Sequence, residues 1–209
     1  MENVTDRISN PFGMQPPCER FVPGYGDANA DFHVVGDHPG VHDGLDTGVP
    51  LTNAAGRRLQ DALAEAGLLI ETGDTPSVAR TYLSYLHLCA PPETPPPQSS
   101  YDNLEPFFDA ELRAIAAHVL LPVGSRATAH VLETYTAQTV DSPPEMEALH
   151  ATEQVGSGFL VVPVVEPADW DETHHDRLVD GLATLRSTDF RREADLGRFV
   201  PGNDPYLVR

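Results

Sequence analysis

Four short, dense apolar runs, separated by stretches of helical period, constrain this chain more than any other feature. The runs are Phe32 to Val35, Arg80 to Cys89, Val119 to Val123 and Phe159 to Val165. Each is too short for a buried helix and is rich in the β-branched and aromatic residues that fit a pleated surface. Between them, Asn53 caps a predicted helix over 54–66, with Leu59, Leu63 and Ala66 on one face and Gly67 as its stop. Further helices are predicted over 104–118, from a Ser125 cap to Tyr135, and over 173–186 with Leu178, Leu182 and Leu185 inward. Strands alternating with helices imply a parallel sheet joined by right-handed crossovers. The expected fold is a three-layer α/β/α sandwich around a four-stranded parallel sheet.

At 209 residues, 40% of them hydrophobic, the chain suits one domain, with its core over 18–186 and a tail over 187–209 anchored by Phe199 and Tyr206. The proline-rich connector at 90–97 forbids regular structure, and the segment from Asp141 to Glu147 reads as an acidic loop. No apolar run is long enough for a membrane span, and the start of the chain lacks a basic, then apolar, leader. This pattern, with only Cys18 and Cys89 as thiols, suggests a cytoplasmic, monomeric protein in a reducing compartment. Acidic residues number 32 against 13 basic, all arginine, for a net charge of −19. Such a surface resembles that of proteins from a salt-loaded cytoplasm. It argues against nucleic acid as a partner at low salt, an objection that weakens at high salt, where counterion release counts for little.

Chemistry concentrates in the loop after the first run. Gly36-Asp37-His38-Pro39-Gly40 ends a strand and delivers a carboxylate and an imidazole to the carboxyl end of the sheet, where open α/β folds place their sites. Gly48-Val49-Pro50-Leu51-Thr52-Asn53-Ala54-Ala55-Gly56 follows. Together they resemble the first motif of uracil-DNA glycosylases, family 4 in particular: Gly-Glu-Ala-Pro-Gly, then Gly-x-Pro-Phe-x-Gly-x-Ala-Gly. Tyr82 to Pro92, Leu104 to Ile115, Leu121 to Ala127 and Val162 to Ala168 resemble later segments of that family in the same order.

The resemblance implies roles, and at several positions a changed letter. The water-positioning glutamate falls at Asp37, the ring that stacks on extruded uracil at Leu51, the asparagine that reads its edge at Tyr85, and the histidine that steadies the departing base at Glu166. Losing the ring costs about 1–3 kcal/mol of stacking, and losing the amide removes hydrogen-bonded discrimination. The implied base pocket comprises Gly36, Pro39, Gly40, Leu51 and Tyr85. In an active protein Asp37 orients water, while His38 or a protonated Glu166 steadies the leaving base. Pro167 and Trp170 fall where the family carries its DNA wedge loop; Trp170 is an exposed wedge or a buried anchor. The family's iron–sulfur ligands fall at Cys18, Phe21, Cys89 and Leu104, so no cluster and no other cofactor is expected, and the two cysteines read as neighbouring small core residues.

Three functions remain open. The first is a DNA-binding glycosylase acting on deaminated or damaged bases, and the second a catalytically silent relative that binds DNA or a protein partner. The third is a metal-dependent hydrolase built on Asp37, His38, His42 and Asp43, with Glu166 expected nearby, although no metal is expected at the site.

Overall fold

The structure, a computed structural model, describes residues 16–136 and 145–197. In chain order its elements are β1 (Tyr25–Gly26), β2 (Phe32–Gly36), α1 (Pro39–His42), α2 (Ala54–Glu65), β3 (Leu69–Glu71), β4 (Ser77–Val78), β5 (Thr81–Tyr85) and α3 (Gln98–Ile115). Then come β6 (Val119–Pro122), α4 (Gly124–Tyr135), α5 (Met146–Leu149), β7 (Gln154–Val155), β8 (Leu160–Val161), a 3-10 turn (Pro167–Asp169), α6 (Glu172–Arg186) and α7 (Phe190–Gly197). The predicted anchors Phe199 and Tyr206, and residues 141–144 of the acidic loop, lie outside the described residues.

The main sheet has the order β1-β5-β2-β6-β8-β7. Its central strands β5, β2, β6 and β8 are parallel, as expected, but β1 and β7 add antiparallel edges, and β3 and β4 form a separate hairpin. The four expected strands thus form the parallel centre of the sheet, and two edge strands that the sequence did not reveal extend it to six, because two-residue strands carry no readable period. Alternation along the strands makes the layers. Phe32, Val34, Val119 and Leu121 pack with Leu59 and Leu63 of α2 and Leu178, Leu182 and Leu185 of α6. Val35, Leu120 and Val161 pack with Phe108 and Leu112 of α3 and Val131 and Leu132 of α4 on the opposite face.

Two runs are shorter as strands than their composition suggests. In the last, Pro163 has no N–H to give the ladder, although Val162 and Val164 still donate to Leu120 and Pro122. In the second, β5 ends at Tyr85, but Leu86 and His87 donate to Gly36 O and Asp37 O, both at 3.0 Å. That extension fastens the chemistry-bearing loop to its neighbouring strand. α3 begins at Gln98, six residues before the predicted start at Leu104, and carries Pro106 inside it. Cys18 and Cys89 are neighbours, but as a disulfide with Cα atoms 6.1 Å apart rather than as the two free thiols expected. Among the described residues no helix is long and apolar enough to cross a membrane.

The tail docks through a short helix that the sequence did not reveal. Phe190 packs on Phe32 at 5.2 Å between ring centroids, and Arg191 grips the carboxylate of buried Asp31 through Nε at 2.9 Å and Nη2 at 2.5 Å. Arg80 grips the same carboxylate from the other side. Burial would raise the Asp31 pKa, yet the two guanidiniums hold it below its ordinary value. Its ion pairs are therefore intact above the ordinary carboxylate range and are lost as the pH falls through the lower, folded-state pKa. Both arginines keep more than half of their side chains in water, so losing their partner leaves no buried charge. Asp31→Ala should cost about 2 kcal/mol, within the range for hydrogen bonds to charged groups, as read from urea unfolding at neutral pH.

Candidate active site

The loop after β2 and the segment after β8 meet at the carboxyl end of the sheet. Gly36 opens the loop because a methyl group there would lie 2.7 Å from the Tyr85 ring and 3.0 Å from His42 Nδ1. His38 then caps the short helix α1: Gly40 N–H donates to His38 Nδ1 at 3.0 Å. The neutral imidazole consequently carries its proton on Nε2, 4.0 Å from Asp37 Oδ2. Burial lowers the His38 pKa, with Asp37 opposing it, so the ring is neutral at physiological pH.

Asp37 keeps 19% of its side chain exposed. Tyr101, on the first turn of α3, donates its hydroxyl proton to Asp37 Oδ1 at 2.5 Å. The Tyr101 ring lies under the Arg126 guanidinium at 4.5 Å and against the His87 ring at 5.1 Å. His87 is itself fixed, bonding Ser100 Oγ at 2.7 Å and Cys89 O at 3.0 Å. Tyr101, His87 and Arg126 are the site neighbours that the sequence reading missed. Their contacts are long-range, and only the placement of α3 against β5 and α4 brings them in.

Glu166 arrives from the other side, capping the 3-10 turn through the N–H of Ala168. It meets His42 Nε2 at 2.9 Å and keeps 23% of its side chain exposed. Gly124, at φ +82°, makes room for it: a methyl group there would lie 3.1 Å from Glu166 Oε2. His42 Nδ1 is buried without a partner among the described residues. The Nε2–H tautomer leaves only a bare lone pair there, whereas the other would bury an unpaired N–H, the costlier choice. Glu166 is thus an acceptor from both His42 and Ala168.

Two expectations for the base pocket need correction. Leu51 and Tyr85 do not line an open pocket; they are 1% and 2% exposed and belong to the core. Tyr85 accepts from Leu51 N–H at 2.8 Å and donates to Asp43 O at 2.9 Å, so its proton is not available to a base edge. Leu51 is held at φ +62° while Gln60 donates to its carbonyl, an uncommon conformation for a branched side chain, kept by these ties. Of the other residues of the implied pocket, Gly40 lies against His38, donating its N–H to Nδ1.

The wedge expectation also fails as placed. Pro167 and Trp170 are buried; Trp170 donates from Nε1 to Val165 O at 2.8 Å, and Arg58 donates to Pro167 O and Trp170 O. A wedge needs a free apolar side chain, and here only Ala168 and Asp169 of that turn are exposed. Trp170 is the anchor of the two alternatives.

The four positions corresponding to iron–sulfur ligands hold a disulfide, Phe21 and Leu104. A disulfide offers no thiolate and the other two side chains offer no donor, so these residues do not fit a cluster. The metal alternative gains no ligand set either. His38 Nδ1 and His42 Nε2 are engaged, and among the described residues no group of three or more His, Cys, Asp or Glu side chains could hold an ion.

Residues 23–177 match the family model described as Uracil DNA glycosylase superfamily. The chain is 25% identical to a type-4 uracil-DNA glycosylase of Archaeoglobus fulgidus over 149 residues, 71% of this chain and 70% of that protein. It is 32% identical to a type-5 uracil-DNA glycosylase of Pyrobaculum aerophilum over 126 residues, 57% of this chain and 56% of that protein. With a type-5 uracil-DNA glycosylase of Thermus thermophilus it shares 38% identity over 90 residues, 41% of each chain.

Proposed function

The chain belongs to the uracil-DNA glycosylase superfamily, and from that premise we propose that it binds DNA and hydrolyses the N-glycosidic bond of an extruded, deaminated or damaged nucleotide. One observation carries the reading: a part-exposed carboxylate, Asp37, is held by Tyr101 at the open end of the central strand, with a neutral His38 Nε2–H 4.0 Å away. N-glycosidic cleavage leaves an oxocarbenium-like sugar and negative charge on the base. Asp37 Oδ2 orients a water towards the sugar and takes its proton as the new C–O bond forms. His38 Nε2–H donates to the departing base without needing to be charged. Glu166 accepts from His42 Nε2–H and from Ala168 N–H, so its part is to fix the facing turn rather than to supply a proton.

The experiment is a single-turnover assay, protein in excess, on duplex and single-stranded oligonucleotides carrying uracil, hypoxanthine or xanthine, in molar KCl. Alkali-labile abasic product is expected from at least one of them. A second reading, a catalytically silent DNA-binding member, draws on the burial of Leu51 and Tyr85 where the family resemblance places base recognition. Binding with no product from any substrate would favour it.

Arg126 is exposed at the amino end of α4, and its guanidinium lies over Tyr101. If it contacts phosphate as DNA reaches Asp37, Arg126→Ala should weaken binding of all sequences alike and reduce the slope of log K against log salt by about 1. Fluorescence anisotropy across a salt series reads both.

A further inference from the structure

We propose that Tyr101 is the positioning residue for the Asp37 carboxylate, an inference that rests on the hydrolytic reading above. Aspartate at this position is one methylene shorter than the glutamate implied by the family resemblance, so its carboxylate reaches less far from the backbone and must be aimed by something other than its own length. The backbone of Asp37 is pinned by the donation of His87 N–H to its carbonyl. The carboxylate is pinned separately, by the Tyr101 hydroxyl on Oδ1 at 2.5 Å. With Oδ1 occupied, Oδ2 is the oxygen that faces His38 Nε2 and the one left to take a water proton.

Tyr101 can do this because it is itself held by two neighbours. It is buried, the Arg126 guanidinium lies over its ring at 4.5 Å and the His87 ring packs against it edge-on at 5.1 Å, and Arg126 is tied to Gln98 Oε1 at 3.2 Å. A phenol clamped in this way spends little entropy on holding the carboxylate, and misplacing a reacting group by about 1 Å costs on the order of 100-fold in rate. Burial and the neighbouring carboxylate both raise the Tyr101 pKa, so the hydroxyl remains a donor throughout the working range.

The test is Tyr101→Phe, which keeps the ring and removes only the hydroxyl. The single-turnover rate should fall roughly 10- to 100-fold, with the half-saturating DNA concentration unchanged and the thermal midpoint lowered by only several degrees, as loss of one hydrogen bond to a carboxylate allows. In an Asp37→Asn background the same substitution should cost less than twofold, because there is no longer a base to aim. A Tyr101→Phe protein with the wild-type rate, or one that loses rate only in step with DNA affinity, overturns the proposal. A readout free of activity is the hydroxyl proton of Tyr101 in tyrosine-labelled protein. A slowly exchanging downfield resonance is expected, lost in Asp37→Ala. If the wild type makes no product but that resonance is present, the hydrolytic reading has failed while the hydrogen bond stands. If product forms and the resonance is absent, the Tyr101 assignment alone has failed.

Discussion

Asp37→Asn is expected to lower the single-turnover rate of base release by about 10²- to 10⁴-fold, the range that a positioned general base supplies, or roughly 3–5 kcal/mol of activation free energy. Asparagine is nearly isosteric and its amide oxygen can still accept from Tyr101, so the loop should keep its shape. What disappears is the oxygen facing His38, replaced by an NH₂ group that cannot take a proton from water. DNA affinity, read by anisotropy, should therefore change little while the rate collapses. Asp37→Glu is an informative companion. It restores the longer side chain implied by the family resemblance but pushes the carboxylate into the Tyr101 hydroxyl, so it should recover part of the activity and no more. Retention of the wild-type rate in Asp37→Asn would remove Asp37 from the chemistry and with it the proposed mechanism.

The sequence exposed the parts of this fold that rest on period and composition. The central parallel strands lie inside their predicted apolar runs, and the helices at Ala54–Glu65, Gly124–Tyr135 and Glu172–Arg186 begin and end within a few residues of their expected bounds, because each helix is long enough for an apolar face to repeat. Strands β1 and β7 have two residues each and repeat nothing. The docking of α7 is set by a partner 160 positions away, Asp31, which no local pattern announces. The site divides in the same way. Asp37 and His38 were legible because a strand running into Gly-Asp-His-Pro-Gly says where its side chains emerge, and the collinear series predicted that the Glu166 segment would meet that loop. The hydrogen bond from His42 to Glu166 at 2.9 Å is that meeting. Burial was not legible: Leu51 and Tyr85 stand where the resemblance implies base contacts, yet a letter does not reveal whether a side chain faces a cleft or the core. Tyr101 lies just beyond a proline-rich connector and was silent for the opposite reason. Its role depends wholly on where α3 comes to rest.

Glu111→Gln should remove the loss of stability that Glu111 alone imposes between pH 5 and pH 8, raising stability at pH 8 relative to the wild type by on the order of 3 kcal/mol. Glu111 projects from α3 against β5 and is buried, where it accepts from Tyr82 Oη–H at 3.0 Å and lies 4.0 Å from His33 Nε2. Desolvation pushes its pKa up to about 7, against the hydrogen bonds from Ser84, Tyr82 and Gly24 that favour the charge. His33 gives no compensating cation, since burial lowers its own pKa to about 3. The sign follows from which state holds the proton. Below the ordinary value near 4.5 both states are protonated. Between there and 7 the folded protein keeps a proton that the unfolded chain has released, so stability falls as the pH rises, and beyond 7 it levels off. Two and a half pH units correspond to on the order of 3 kcal/mol. Asp31 works the other way, being held charged by Arg80 and Arg191, and its contribution fades only in acid, outside this window. The buried histidines, His33 among them, add a slope of opposite sign below their ordinary value near 6.5, but that slope is common to both proteins and cancels in the difference. Urea unfolding at pH 5 and pH 8 of wild type and Glu111→Gln therefore isolates one group. Parallel pH dependence in the two proteins would mean that Glu111 stays ionised in the fold and that its hydrogen bonds outweigh its burial.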